Sequence, residues 1–174
     1  MVEKITGQAF IEAAEERIFM RANMVDSGYF SLDRLPKQTA IGYIDQENGW
    51  RTNQYALPIV GGADGGAFVT ANDMVLFWER LMDYTLLSKE MTSRMLTPHV
   101  MIEDGNYGYG VWIKREEDTL VKYHVSGYDP GVNFHSGYYP KDRSILTVLS
   151  NTNNGAFEAM KLVEGAVNGE SQFS

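Results

Sequence analysis

The sequence predicts an α+β chain: an antiparallel meander sheet with helices packed on one or both of its faces. Three observations predict it. The first hundred residues carry apolar patterns of helical period, separated by irregular stretches rich in glycine and polar residues. After His99 the period changes to strand alternation, in four runs joined by short turns. A last pattern of helical period, AFEAMKLVEGAV (156–167), follows them. An amphipathic element must bury its apolar face against another, and this order puts helices against an antiparallel sheet. A length of 174 residues fits one domain, and 44% hydrophobic residues suffice for a core.

In the first run, Ile5, Ala9, Ile11, Ala14 and Ile18 lie roughly on one helical face, which predicts a helix over 3–19 with a break around Gly7. No capping residue precedes it. Two readings of that start stand: a natural helix end that frays, or a boundary inside a longer protein. Residues 20–38, with DSGYFSLDRLP, read as a surface excursion. The runs TAIGYID (39–45) and WRTNQY (50–55) flank a turn signal, ENG, and predict a short hairpin. Thr70 stands as an N-cap with Asp73 three residues on, and Met74, Phe77, Trp78 and Leu81 follow at helical spacing. The expected helix spans 71–86. Ser88 caps a second one over 89–96, which stops before Pro98.

The strand runs are 107–115, 119–125, 132–139 and 144–150, joined by REED, GYDPG and PKDR. Ile145, Leu146, Val148 and Leu149 are apolar on both faces, which predicts a central, covered strand. Asn151–Asn154 reads as a loop able to cap the last helix.

Composition removes several functions. The net charge is −8 and no basic stripe occurs, so the chain repels phosphate backbones and no nucleic-acid partner is expected. There is no cysteine, hence no disulfide, thiolate catalysis or cysteine-zinc site. His99, His124 and His135 lack the spacing of a metal motif. The two later ones could meet across a hairpin. GGADGG (61–66) lacks the Gly-Lys-Ser/Thr of a phosphate loop, and Asp64 alone is not a cation site. This loop reads as backbone bending beside a cleft. DQENG (45–49) lacks a calcium-ligand pattern. No metal or organic cofactor is expected. The aromatic residues crowded into the strands read as cross-strand packing rather than a sugar platform.

The stretch KYHVSGYDPGVNF (122–134) carries the candidate chemistry. His124 and Ser126 are two apart on a strand, so they share a face. A nucleophilic serine needs a strained elbow and an oriented base, and no Gly-x-Ser-x-Gly occurs. A polar strand followed by glycine can instead offer backbone N–H groups to a substrate and form one wall of a site.

Taken in order, EKITGQAF, GGAFVTANDMVLFWERL, LLSKEMTSRMLTP, YGYGVWI, VSGYDPGVNFHSGYYP and ILTVLSNTNN resemble the C-terminal part of the serine β-lactamase-related family. That group holds class C β-lactamases, D-alanyl-D-alanine peptidases, penicillin-binding-protein-like chains and related esterases. The resemblance covers about residues 2–167. It implies that 1–174 is the C-terminal portion of one β-lactamase-like domain: helices over about 1–100, closing strands over 107–150, a terminal helix over 156–167. The family's Ser-x-x-Lys and Tyr-x-Asn motifs do not occur in the chain, and the resemblance would place both before Met1. Its third motif, Lys-Thr-Gly or His-x-Gly, aligns through Asp129-Pro130-Gly131 on Val125-Ser126-Gly127.

The resemblance then implies these roles. The Tyr128 backbone N–H is an oxyanion donor, Ser126 holds a substrate carboxylate or carbonyl, and Gly127 lets the substrate lie close. Val125 and Asp129 line the substrate. The departure is at the cationic position, which Val125 occupies while His124 stands one residue early. Either a bulge brings His124 into the site or the cationic role is unfilled, which would fit an ester or peptide substrate, or a non-catalytic relative, better than a β-lactam. The implied activity is acyl-enzyme hydrolysis of an amide or ester by the longer protein, with this chain inactive by itself. The implied partners are that substrate, the missing N-terminal segment of the domain, and a second copy through exposed sheet surface. The family works mostly outside the cytoplasm. The other reading is a binding module without chemistry, with the aromatic meander and the glycine loop as its cleft.

Overall fold

The computed structural model describes residues 1–102 and 105–167. The N-terminal helical run breaks at its glycine. α1 (Val2–Thr6) closes on Gly7, whose φ of 71° lies in the left-handed region. α2 (Phe10–Ala14), a π-helical turn (Glu15–Phe19) and α3 (Met20–Ala22) then follow without interruption and stop at left-handed Asn23. The helical run thus passes the expected end at 19, because Phe19 and Ala22 are both buried in the core. β1 (Tyr43–Gln46) and β2 (Gly49–Thr52) form the predicted hairpin.

α4 (Ala71–Met82) begins where its cap predicts: Thr70 Oγ1 accepts from the Asp73 N–H at 3.1 Å. It ends at Asp83 rather than at 86, since Tyr84 has a φ of 68°. α5 (Lys89–Met95) is capped by Ser88, which accepts from the Met91 N–H at 3.2 Å.

The sheet has six strands in sequential antiparallel order: β3 (Val100–Ile102), β4 (Gly105–Tyr107), β5 (Trp112–Glu116), β6 (Thr119–Asp129), β7 (Val132–Tyr139) and β8 (Ser144–Ser150). Two expectations need correction. Residues 107–115 are not one strand, because the chain leaves the ladder between Tyr107 and Trp112. Gly108 there lies flat on the Met95 carbonyl, where a Cβ would come within 2.2 Å. And β8 is last in the strand order, not central. It reads as covered because helices contact it from α4 and from α6 (Ala156–Val167).

The core lies between α4 and one face of the sheet. Trp78 and Leu81 of α4 are buried with Phe19, Ala22, Met24 and Val111, and Tyr123, Val125, Phe134, Tyr138 and Ile145 pack against them. Inside it, the Trp78 indole N–H donates to Ser136 Oγ at 2.8 Å, and that hydroxyl bonds Thr147 Oγ1 at 2.8 Å. Buried polar groups are kept by such mutual satisfaction. The start of α6 is capped across the sheet: the Ala156 N–H donates to Asn133 Oδ1 at 3.1 Å. The Asn151–Asn154 loop serves elsewhere, since Asn153 Oδ1 accepts from the Gly131 N–H at 2.6 Å.

Candidate functional site

The turn at the end of β6 is built from its sequence. Asp129 pairs with Val132 across a two-residue turn, Pro130-Gly131. Proline supplies the fixed φ of the first turn position, and Gly131, at φ 79°, the positive φ of the second. The turn is then tied to distant chain. The buried Asn53 donates from Nδ2 to the Pro130 carbonyl at 3.1 Å, and the Tyr43 N–H donates to the Gly131 carbonyl at 3.1 Å. A Cβ on Gly131 would stand 3.0 Å from Asn53 Cβ, so this is also a position of close approach.

Register decides where the backbone of β6 points. Asp129 and Val132 close the turn, so they form a hydrogen-bonded pair. Alternation then directs the N–H and C=O of Val125, Gly127 and Asp129 toward β7, and those of His124, Ser126 and Tyr128 to the other side. On that other side β5 pairs with β6 only as far as His124, opposite Trp112. Among the described residues no strand lies beside Val125–Asp129 there. The Ser126 and Tyr128 N–H groups thus line an open strand edge. Gly127 is exposed and Tyr128 is 65% exposed, so the edge is accessible. The glycine loop approaches it: a Cβ on Gly65 would lie 3.6 Å from Asp129 Oδ2. That loop folds on itself through Gly62 and Gly65, and Gly61 against Gly66 leaves no room for a Cβ at either.

Side-chain parity separates the predicted residues. Val125 turns inward to the α4 core. His124 and Ser126 turn to the opposite face, under α6. The pairing of β6 with β7 is unbroken from Tyr123 to Asp129, so no bulge carries His124 to the side of Val125. The face under α6 is polar and connected. Ser126 Oγ lies 2.9 Å from His135 Nδ1 and 3.3 Å from His124 Nδ1. His135 Nε2 lies 3.2 Å from Lys122 Nζ. Lys122 is buried and pairs with Glu164 of α6, which also accepts from the Tyr139 hydroxyl. Rings enclose the group: Trp112 stacks on His124, and Phe157 meets His135 edge-on.

These contacts set the charges. Burial, then the Lys122 charge, pushes His124 down to about 4. The same two causes, with His124 added, push His135 down to about 3. Both imidazoles are neutral at pH 7 and act as hydrogen-bond groups, not cations. Burial pulls Lys122 below the usual lysine range, against the Glu164 carboxylate that holds its proton on. Burial raises Glu164, but the hydrogen bonds from Lys122 and Tyr139 outweigh it and the carboxyl lies below its ordinary value. Tyr139 is raised by burial and by that same carboxylate. Among the described residues no group of three or more histidine, aspartate or glutamate side chains could hold a metal ion.

His124, Ser126, Gly127, Tyr128 and Asp129 therefore share one end of β6, but only His124, Ser126 and Tyr128 lie on the face under α6; Val125, Gly127 and Asp129 alternate to the other face. Sequence reading missed Lys122, Tyr139 and Glu164, and considered His135 only as a metal ligand. One signal was present: Lys122, His124 and Ser126 are polar at i, i+2 and i+4 of a strand, so all three share a face.

Comparison with known proteins gives the family of the chain. The family model described as Beta-lactamase matches residues 1–166. The chain is 24% identical, over 159 residues, to the putative penicillin-binding protein PbpX of Bacillus subtilis, covering 90% of this chain and 38% of that protein. It superimposes on a penicillin-binding protein from Bacillus halodurans with a TM-score of 0.92 and 51% identity, covering 95% of this chain and 51% of that one. An octameric penicillin-binding protein homologue from Pyrococcus abyssi shares the fold, with a TM-score of 0.78, 24% identity and coverage of 94% and 40%. The chain thus spans about half or less of the length of these relatives. With a matching family model over nearly all of its described residues and the same mixed helix-and-sheet fold, this chain belongs to the Beta-lactamase family, within the serine-hydrolase fold of the penicillin-binding proteins.

Proposed function

We propose that this chain forms the oxyanion and substrate wall of a serine acyl-transfer hydrolase whose nucleophile lies in protein sequence outside these 174 residues. The observation that carries the reading is the open edge of β6, where the Tyr128 N–H points away from β7 beside exposed Gly127. An acyl group lying along that edge would put its carbonyl oxygen on the Tyr128 N–H, with the second donor at the nucleophile. Preorganised donors aimed at a developing oxyanion supply much of the rate enhancement in such catalysis. Ser126 Oγ would hold a second polar atom of the substrate. Asp129, beside the glycine loop, would bound the far end. Val125 supplies no cation, and His124, which shares the face of Ser126, is neutral, which favours an ester or peptide-like amide over a β-lactam carboxylate. Neither Ser-x-x-Lys nor Tyr-x-Asn occurs within the chain, so by itself it supplies binding geometry without attack.

The missing partner is the rest of the domain. Leu149 on β8 and Phe157, Leu162 and Val163 on α6 are exposed, and an unpaired edge strand beside apolar surface asks for a cover. In isolation, the 174-residue chain is expected to cover them with a second copy; a clean monomer by light scattering at high concentration would count against this.

The test is acylation by an activated ester probe and a fluorescent penicillin. The 174-residue chain is expected to form no adduct. A protein that also holds an upstream Ser-x-x-Lys is expected to form one. In it Tyr128→Pro, which deletes the N–H, should slow acylation by about a hundredfold or more, while Tyr128→Phe should not. Equal rates for the two variants would overturn the oxyanion assignment. An upstream sequence without Ser-x-x-Lys would leave a binding module in place of an enzyme.

A further inference from the structure

The Ser126 hydroxyl can face a ligand as donor or as acceptor, and its neighbours decide which. Ser126 and His135 are a directly opposed pair on β6 and β7. By alternation they do not exchange backbone hydrogen bonds, the arrangement that brings side chains closest. The 2.9 Å contact between Ser126 Oγ and His135 Nδ1 can run either way. With the proton on Nδ1, the serine accepts and its own O–H is free. With the proton on Nε2, the serine must donate to Nδ1 and its O–H is consumed.

The groups behind His135 choose between these. Lys122 Nζ has three near partners: the Glu164 carboxylate, Met160 Sδ at 3.4 Å and His135 Nε2 at 3.2 Å. An ammonium has three N–H donors and no acceptor, so three contacts use all of them. A carboxylate in direct contact keeps the lysine in that form. His135 Nε2 must then accept, and a neutral imidazole that accepts at Nε2 carries its proton on Nδ1. The Nδ1–H donates to Ser126 Oγ. The serine proton can then go only outward, to His124 Nδ1 at 3.3 Å or to whatever replaces that long contact.

We propose that Lys122 and Glu164 are positioning residues: they lock His135 in its Nδ1–H tautomer and thereby make the Ser126 hydroxyl a hydrogen-bond donor at the open edge of β6. The donors run in one direction, from Lys122 through His135 to Ser126, with Glu164 as the anchor. The lock selects ligands that present an acceptor to Ser126, such as a carbonyl or carboxylate oxygen, against those that present a donor. Its bearing on a substrate rests on the function proposed above; the tautomer itself does not. The geometry also accounts for a buried lysine whose desolvation is otherwise a cost.

The experiment is long-range proton–nitrogen NMR of the imidazoles in the 174-residue chain at pH 7. It holds three histidines, assigned by single replacement of His99 and His124. The expected wild-type pattern for His135 is a protonated Nδ1 and a bare Nε2. Lys122→Met, unbranched and of similar length, should lose that pattern and populate the Nε2–H form, and Lys122→Arg should restore it. A wild-type His135 protonated on Nε2, or on both nitrogens, overturns the proposal without any variant. An unchanged pattern in Lys122→Met overturns it as well. If that variant does not fold, the wild-type spectrum decides. No acylation is read, so this result and the nucleophile test can fail separately.

Discussion

Ser136→Ala asks whether the polar core contact is worth what its geometry implies. Ser136 and Trp78 are both fully buried, at 0% exposure, and the indole N–H donates to Ser136 Oγ at 2.8 Å. Removing the hydroxyl strands that N–H in the core and takes a partner from Thr147. A buried donor left without an acceptor costs about 1–3 kcal/mol. The oxygen removed is small, so the cavity it leaves adds little. At about 2–4 °C per kcal/mol for a chain of this size, Tm should fall by about 2–12 °C. The assay is urea unfolding followed by far-UV circular dichroism at pH 7, with an unchanged m-value showing that stability alone has moved. Trp78→Phe removes the donor along with some packing. In Trp78→Phe/Ser136→Ala the hydroxyl loss should therefore cost less, by a coupling of about 1 kcal/mol. If Ser136→Ala stays within about 0.5 kcal/mol of the parent and the two changes add, the hydrogen bond is not holding α4 to the sheet, and the reasoning fails.

Further expectations concern the turn, the α4 cap and pH. Gly131 and Gly110 have nearly the same φ, 79° and 77°, but a Cβ would meet Asn53 and Tyr43 at the first and nothing within 4 Å at the second. Gly110→Ala should therefore cost about 1 kcal/mol for backbone strain alone. Gly131→Ala should cost clearly more in the same urea titration, and equal costs would refute the role of packing there. Asp73 is buried and its carboxylate accepts from the Asp26 N–H at 2.9 Å and Ser27 Oγ at 2.6 Å, so Asp73→Ala should lose about 3 kcal/mol; a loss below about 1 would refute it. His124 and His135 titrate near 4 and 3 when folded but near 6.5 when unfolded. The unfolded chain therefore binds more protons below about 6.5, and stability is full above that pH and falls as pH drops toward about 4 and then 3. His135→Gln should flatten the stability profile between about pH 6.5 and 4. His124, Lys122 and Glu164 remain around the site in that variant, so an unchanged slope would place the effect on them, His124 first, instead.

Much of the fold was legible because its signals are local. Thr70 caps α4 and Ser88 caps α5 through contacts three residues long, and both begin where the sequence predicts. Pro130-Gly131 dictates its own turn, and that turn sets the register of β6 and β7. The shared face of His124 and Ser126 follows from strand period alone.

The misreadings have distant causes. Gly108 splits the expected strand because it lies on the Met95 carbonyl, thirteen positions earlier in the numbering. Double-faced apolarity in β8 reports cover by α4 and α6 but says nothing about which strands pair with it. At the site, sequence pattern placed Lys122, His124 and Ser126 on one face. Tertiary structure then chose what that face meets: His135 from the next strand, and Glu164 from a helix 42 positions beyond Lys122. Caps, turns and strand parity are decided by neighbours along the chain, so the sequence carries them. The orientation of a hydroxyl and the protonation of a buried histidine depend on desolvation and on charges brought in from afar, and only the packed fold supplies those.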